Sequence, residues 1–386
     1  MDPKFVHLSI WATMHGAMLN GVEFRMTETG CGVFASQDYD SGDHLLVVKR
    51  HADHFVQIPE SLTMSSRKME KEYEELMKTH NLVVDDLTDK QMLSFILCME
   101  KRNPDSFYRP YIDSIPESMP NDIINIDPED IPDTPSIRDF CIMYRGTKLN
   151  EINAVMAFGK PLNLTRKEVH WAMNVVNWKG FVNRNGGACL FPLLDMVQSS
   201  TSPCVQVAHT KFKGKWYENY KVLEGRTLKK GDQLILDNSH LAAANIFLFC
   251  HFGFTTPRNV FDKNLTVYRA EIISALCEVV KGPLKKKQFR EAVKSVQDRF
   301  VPIRDNKISK EMADLIENCV NGSRGIHGQV IVKIFNVLKA AREEKLRDVH
   351  PEFKFIYEDE IRLLSEVFKE TKIPSRASGL TTLHCC

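Results

Sequence analysis

The sequence predicts an α+β fold in which a β domain is split by a helical insert and followed by an all-α C-terminal domain. Strand-like runs broken by turn residues occupy residues 22–58 and return at 190–238, whereas apolar residues recur every three or four positions elsewhere. With 386 residues, the chain is long enough for about two domains. We predict a first domain over 1–260, with an insert at about 60–165, and a second over 262–386.

The first strands are predicted by β-branched and aromatic runs that alternate with Gly and Asp. These runs are Val22–Arg25, Gly32–Ala35 and His44–Val48. β-branched and aromatic side chains favour strands, whereas Gly and Asp favour turns. We therefore expect three short strands separated by turns.

The insert is predicted to be helical because its period changes to three and four. Residues 65–80 have the pattern of an exposed helix. Two capping boxes, Thr88 with Gln91 and Thr165 with Glu168, each precede an apolar helical run. A stretch rich in Pro and Asp, roughly 115–137, is predicted to be a loop.

The second group of strands and the C-terminal helices follow from the same two periods. We predict strands at 190–196, 203–210, 216–223 and 232–238, with a tight turn around Gly231. Beyond about residue 262, the apolar spacing predicts helices almost throughout, beginning with the run VYRAEIISALCEVV.

Composition excludes several classes of protein. A formal net charge of +1 argues against a dedicated nucleic-acid binder. We see neither a signal-peptide pattern nor an apolar run long enough for a membrane span. The 10 cysteines include no C-x-x-C pair, so we expect reduced thiols, no bound metal, and a location in the cytoplasm or nucleus.

Five motifs in order suggest a family. They are TGCGVFA (29–35), SFYRPYIDSIP (106–116), WAMNVVNWKGF (171–181), LFPLLDM (190–196), and GDQLILDNSH with NIFLFCHFGF (231–254). In order and spacing, the chain resembles SET-domain protein methyltransferases of the Rubisco large-subunit methyltransferase type, which include the actin-histidine methyltransferase.

The resemblance implies a fold and a chemistry. It implies small pseudoknotted sheets, S-adenosylmethionine (SAM) as cofactor, and methylation of a lysine or histidine in a protein substrate by a monomeric enzyme. Such chemistry needs an aligned, deprotonated amine facing the methyl group, which a narrow aromatic channel supplies.

The resemblance also implies a set of cofactor-binding residues. Glycines let the backbone approach a ligand closely, so Gly30, Cys31 and Gly32 are expected at the cofactor, although the family has Arg where Cys31 stands. Lys179 replaces an Arg that contacts SAM, which keeps the charge but loses the planar fork. The remaining expected contacts are Asp195, which matches a family acid, and Gln198 and Ser199, which replace Asn-His.

The expected catalytic and channel residues depart further from the family. Alignment from Gly231 puts Asn238 in the place of the catalytic Tyr, whereas alignment back from Gly253 puts His240 there. Asn can hydrogen-bond an amine, and His can act as a base near neutral pH. The predicted walls of the substrate channel are Phe181, Phe252 and Phe254.

Three hypotheses stay open at this point. The chain is an active SAM-dependent protein methyltransferase, or a degenerate SET-fold module that binds a protein partner, or a helical scaffold for which the resemblance is false. Several altered positions argue for the second, because one donor lost from a preorganised site costs a factor of about 10² to 10³.

Overall fold

The computed structural model of the chain describes most of its 386 residues. The described residues are 3–19, 21–27, 30–40, 54–118, 122–132, 134, 137–182, 187–199, 203–212, 215–237, 243–256, 259, 264–279, 287, 300–304, 307–308, 310–320 and 324–370. The predicted strand His44–Val48 lies outside these residues.

The chain divides into two compact units. The first consists of Met1–Asp122, Gly146–Ala242 and His251–Gly253, and the second of Ile123–Arg145, Ala243–Cys250 and Phe254–Cys386. Two earlier segments therefore pack with the C-terminal part of the chain. The domain boundary predicted near residue 261 stays a prediction.

The first unit begins with a helix and a hairpin. The elements are α1 (Pro3–Met14), β1 (Met18–Leu19), β2 (Val22–Thr27), β3 (Gly30–Ala35) and β4 (Tyr39–Asp40). Strands β2 and β3 pair antiparallel, with Val22 opposite Ala35 and Thr27 opposite Gly30. The first two predicted strands are thus confirmed, and they form one hairpin.

A six-stranded sheet collects strands from both ends of the unit. It adds β5 (His54–Pro59), β9 (Gln198–Ser199), β10 (Val205–Phe212), β11 (Lys215–Val222) and β13 (Ile235–Leu236), in the order β1-β5-β11-β10-β13-β9. Strands β10 and β11 confirm two predicted strands, whereas the strand predicted at 232–238 is short. A separate strand, β12 (Thr227–Leu228), pairs with β4. Gly231 has φ +95°, which a tight turn requires.

The insert is helical, as predicted. Its helices are α2 (Ser66–Glu72), α3 (Glu74–Thr79), α4 (Asp89–Arg102), α5 (Arg109–Ile112) and α6 (Ile137–Phe158), and α7 (Arg166–Lys179) follows the predicted insert. Both capping boxes form, at Thr88 with Gln91 and at Thr165 with Glu168. The single helix predicted at 65–80 is broken at Tyr73, whose φ of −97° and ψ of 4° end α2.

A small three-stranded sheet contains the two strands that follow α7 in the chain. Strands β6 (Met64–Ser65), β7 (Phe181–Val182) and β8 (Ala188–Leu190) pair antiparallel in the order β6-β8-β7. The strand predicted at 190–196 is wrong beyond Leu190. Leu193 has φ +73°, outside the β region, and a 3₁₀ turn over Leu194–Met196 follows.

The C-terminal part is mostly helical but not all-α. It contains α8 (Asn245–Phe252), β14 (Asn264–Tyr268), α9 (Arg269–Val279), β15 (Phe300–Arg304), β16 (Lys307–Ile308), α10 (Lys310–Cys319), α11 (Arg324–Asp348) and α12 (Lys354–Glu370). Strands β14, β15 and β16 form an antiparallel sheet. The all-helical prediction is corrected here, because β14 pairs with a segment distant in sequence, which local periodicity does not reveal.

The second unit has an apolar core of its own. Buried side chains from α9, α10, α11 and α12 pack together, with Ile272, Ile316 and Ile334 fully buried. Across the part of the chain that the structure describes, no helix has the length and apolar character of a membrane span. Within the same residues, no cluster of His, Cys, Asp and Glu is arranged to hold a metal ion.

Candidate cofactor-binding site

The β2–β3 hairpin, called the glycine hairpin below, contacts Gln233 through an isolated antiparallel bridge between Phe34 and Gln233. Gly32 is opposite Arg25 in the hairpin, and a Cβ atom added to Gly32 would lie 3.0 Å from Gln233 Nε2 and 3.1 Å from Thr27 Cγ2. Such distances are tighter than ordinary van der Waals contact, so only glycine fits without a shift. A side chain at position 32 would push Gln233 and Thr27 aside, which favours glycine there, while the neighbouring Cys31 is half-buried.

Gln198 joins this hairpin to the six-stranded sheet. Its Nε2 donates to Thr27 Oγ1 at 3.1 Å, and Gln233 Nε2 donates to its Oε1 at 2.8 Å. Gln198 and Ser199 in β9 lie opposite Ile235 and Leu236 in the parallel strand β13. Predicted cofactor residues from two distant segments, Gly32 and Gln198, are thus brought together.

Asp195 lies in the 3₁₀ turn just before β9, and its side chain is 0% exposed. The Tyr111 hydroxyl donates to its Oδ2 atom, while Oδ1 has no hydrogen-bond partner within the described part of the chain. Burial raises the pKa of Asp195, and the nearby Lys179 and the Tyr111 hydroxyl partly oppose that rise. Burial, followed by the charge of Asp195, raises the pKa of Tyr111.

Lys179 is the last residue of α7, and it faces Asp195 with a side chain that is 11% exposed. Its Nζ atom donates to the Asp195 carbonyl oxygen at 3.0 Å and lies 3.8 Å from Asp195 Oδ2. The structure thus brings two predicted cofactor residues together. It also shows that the ammonium group has partners inside the protein.

The aromatic residues of the predicted channel are found in one strand, one helix and the segment that follows that helix. Phe181 in β7 pairs with Cys189 and packs its ring 5.4 Å from that of Phe191. Phe252 ends α8, with its ring 4.4 Å from that of His251. Phe254 follows that helix and is counted with the second unit. The channel itself stays a prediction.

The predicted catalytic residues Asn238 and His240 lie outside the described residues. Their roles stay predictions. Asn245, seven positions after Asn238, is described and is 3% exposed. Its side chain binds the Thr256 backbone from both ends and contacts Asp359 at 2.8 Å, which indicates a structural role.

Sequence reasoning missed three residues that organise the site. Tyr111 lies in a motif already quoted, but nothing in that motif shows that its hydroxyl reaches Asp195. Tyr220 in β11 donates to the Leu194 carbonyl oxygen, and Gln233 binds Gln198. A fully buried Tyr needs a hydrogen-bond partner for its hydroxyl. The alternation of β11 could therefore have predicted such a partner for Tyr220, whereas the sequence holds no comparable signal for Tyr111 or Gln233.

Comparisons with known proteins show the fold. No family model and no curated protein matches the chain. The solved SET domain of LSMT bound to lysine and AdoHcy matches with a TM-score of 0.60 and 14% identity, covering 96% of this chain and 91% of that one. Rubisco LSMT bound to sinefungin and monomethyllysine matches with a TM-score of 0.59 and 13% identity, covering 96% of this chain and 92% of that one. The chain therefore has the SET-domain fold, as its motifs predict.

Proposed function

We propose that the protein is a SAM-dependent methyltransferase that acts on a lysine or histidine side chain of a cytosolic or nuclear protein. One observation carries this proposal. In a chain with the SET-domain fold, the glycine hairpin, Lys179 and the Asp195–Ser199 segment form one connected wall of the first unit. The solved SET domain of LSMT is bound to AdoHcy, and solved Rubisco LSMT is bound to sinefungin.

Under this proposal, the cofactor is held by the backbone of two strands more than by their side chains, because several family side chains are replaced here. The Gly30–Gly32 strand and the Gln198–Ser199 strand would hold the cofactor, since both are linked through Gln198. SAM, when bound, supplies a methyl group on a sulfonium. The protein's part is to fix the target nitrogen and to exclude water from it.

The side-chain contacts are altered relative to the family. The Lys179 ammonium has three protons and uses one on the Asp195 carbonyl, with the carboxyl of Asp195 close by. The Asp195 carboxyl therefore partly offsets the positive charge of Lys179, which reduces the attraction of Lys179 for a ligand carboxylate. Asn238 and His240 are the residues that we propose for orienting or deprotonating the target nitrogen.

A second candidate is supported by the same contacts. Because Lys179 and Gln198 both bind within the protein, the wall can be stable without a cofactor. A SET-fold module that binds a protein partner and performs no chemistry fits this arrangement.

Calorimetric titration of SAM into the full chain separates the two candidates. The methyltransferase proposal expects saturable binding at micromolar to submillimolar SAM. No binding at millimolar SAM overturns it and leaves the partner-binding module.

If SAM binds, labelled SAM and cell extract test the catalytic assignment. The wild type should label a protein band, and His240→Ala or Asn238→Ala should lose that labelling. His7→Ala, an exposed histidine on α1, is the matched control and should label like the wild type. Unchanged labelling by both site variants rejects these two roles.

A further inference from the structure

The Leu193–Met196 turn leads directly into Gln198 and Ser199, and it has an unusual backbone. Leu193 has φ +73° and ψ −41°, a region that residues with a side chain rarely occupy, yet it is fully buried. Such conformations persist only where the surroundings hold them, and they cluster at functional sites. The Leu193 conformation must therefore be held by neighbouring groups.

Three side chains from separate elements bind consecutive residues of the turn. The Tyr220 hydroxyl, from β11, donates to the Leu194 carbonyl oxygen. Lys179 Nζ, from α7, donates to the Asp195 carbonyl oxygen at 3.0 Å. The Tyr111 hydroxyl, from α5, donates to the Asp195 carboxyl group.

These contacts are shielded from water. Both tyrosines are 0% exposed, so if the Tyr220 hydroxyl is lost, solvent is not at hand to replace that donor to the Leu194 carbonyl oxygen. The turn also closes on itself, with Asp195 N–H donating to Phe191 O at 3.1 Å and Val197 N–H to Leu194 O at 3.3 Å. The backbone amides of the turn thus report on whether it stays closed.

We propose that Tyr111, Lys179 and Tyr220 are positioning residues that hold the Leu193–Met196 turn and thereby place Gln198 and Ser199. That these side chains affect SAM binding rests on the proposed function, whereas their role in holding the turn does not. Under this assignment, Lys179 acts on the cofactor through the backbone of Asp195. The alternative is that Lys179 binds the cofactor's carboxylate directly, as the family's Arg does.

Hydrogen exchange of the full chain without ligand tests the positioning role. We expect Tyr220→Phe and Lys179→Met to speed exchange of the Asp195, Met196 and Val197 amides by about tenfold, while distant helices keep their protection. Tyr73→Phe is the matched control, because it removes another phenol hydrogen bond, 2.8 Å to Glu100, away from the turn. Unchanged protection of the three amides in both variants overturns the proposal.

Two ligands then separate positioning from direct contact. SAM carries an amino-acid carboxylate, whereas 5′-methylthioadenosine lacks it. Positioning predicts that Tyr220→Phe and Lys179→Met weaken both ligands by the same factor, about fivefold. If Lys179→Met weakens SAM alone, Lys179 binds the carboxylate and its positioning role is rejected.

The two proposals fail in different ways. If the wild type binds neither ligand, the proposed function is wrong, yet the exchange experiment still decides the role of the three side chains. Tyr220→Phe keeps the result interpretable if Lys179→Met does not fold, because it changes a single hydroxyl in a fully buried ring.

Discussion

Two buried charge clusters, one in each compact unit, differ in how completely their polar atoms are paired. In the C-terminal unit, Arg342 is 1% exposed, and its guanidinium binds both oxygens of Glu271 at 2.5 and 3.0 Å. Its Nε also donates to Glu360 at 2.8 Å. In the first unit, Lys179 Nζ lies 3.8 Å from Asp195 Oδ2, and Asp195 Oδ1 has no hydrogen-bond partner among the residues that the structure describes.

The difference distinguishes a structural cluster from a candidate site. A buried polar group normally finds partners, because leaving it unpaired costs about 1–3 kcal/mol. The Arg342 cluster meets this rule and joins α9, α11 and α12. The Leu193–Met196 turn, which contains Asp195, departs from this rule at Asp195 Oδ1 and also includes Leu193 at φ +73°. Incomplete pairing and an unusual backbone at one place favour a functional role for the Asp195 turn.

The largest effect is expected from breaking the complete cluster. Arg342→Met removes the guanidinium that binds Glu271 and Glu360, so we expect a loss of about 3–5 kcal/mol in the free energy of unfolding. Urea denaturation measures it. Lys339→Met is the control on the same helix, because its pair with Glu343 at 3.8 Å is partly exposed and should cost less than about 0.5 kcal/mol. Equal losses in the two variants would mean that burial and pairing do not determine how much an ion pair contributes to the free energy of unfolding.

The same comparison explains what the sequence could predict. Local signals were sufficient for the β2–β3 hairpin and for both capping boxes, because residues a few positions apart decide them. They failed for β14, which depends on pairing with Phe300–Arg304. Neither the Tyr111–Asp195 contact nor the turn of Leu193 follows from periodicity, since each depends on elements joined only by the fold.

Glu168, a well-paired acid near the surface, should change the pH dependence of stability in the opposite direction to Asp195. Glu168 forms a bidentate pair with Arg102, at 2.6 and 2.7 Å, and is 27% exposed. The hydrogen bond from Arg102 lowers its pKa to about 2 from 4.5. Its contribution is therefore present above pH 4.5 and lost as the pH falls through about 2.

We predict that Glu168→Gln costs about 1–2 kcal/mol at pH 7, a value reduced by solvent screening of the pair. Urea denaturation at several pH values should show this difference shrinking toward zero near pH 2. Glu117→Gln is the control, because that side chain is 82% exposed in its pair with Lys101 and should cost about 0.5 kcal/mol or less. A difference that stays constant with pH would contradict the assignment.

The smallest effect is expected at Asp195, and it tests the incomplete pairing directly. Burial raises its pKa above 3.8, so the folded protein takes up a proton at higher pH than the unfolded chain does. The resulting stability is present below pH 3.8 and lost as the pH rises through the raised pKa. As the pH falls from 7 to below 3.8, the wild type should therefore gain stability relative to Asp195→Asn. Because all other acids are shared, the difference between the two urea curves isolates this group. A difference of the opposite sign would show that Lys179 and Tyr111 outweigh burial, and that Asp195 is as fully stabilised as the carboxylates around Arg342.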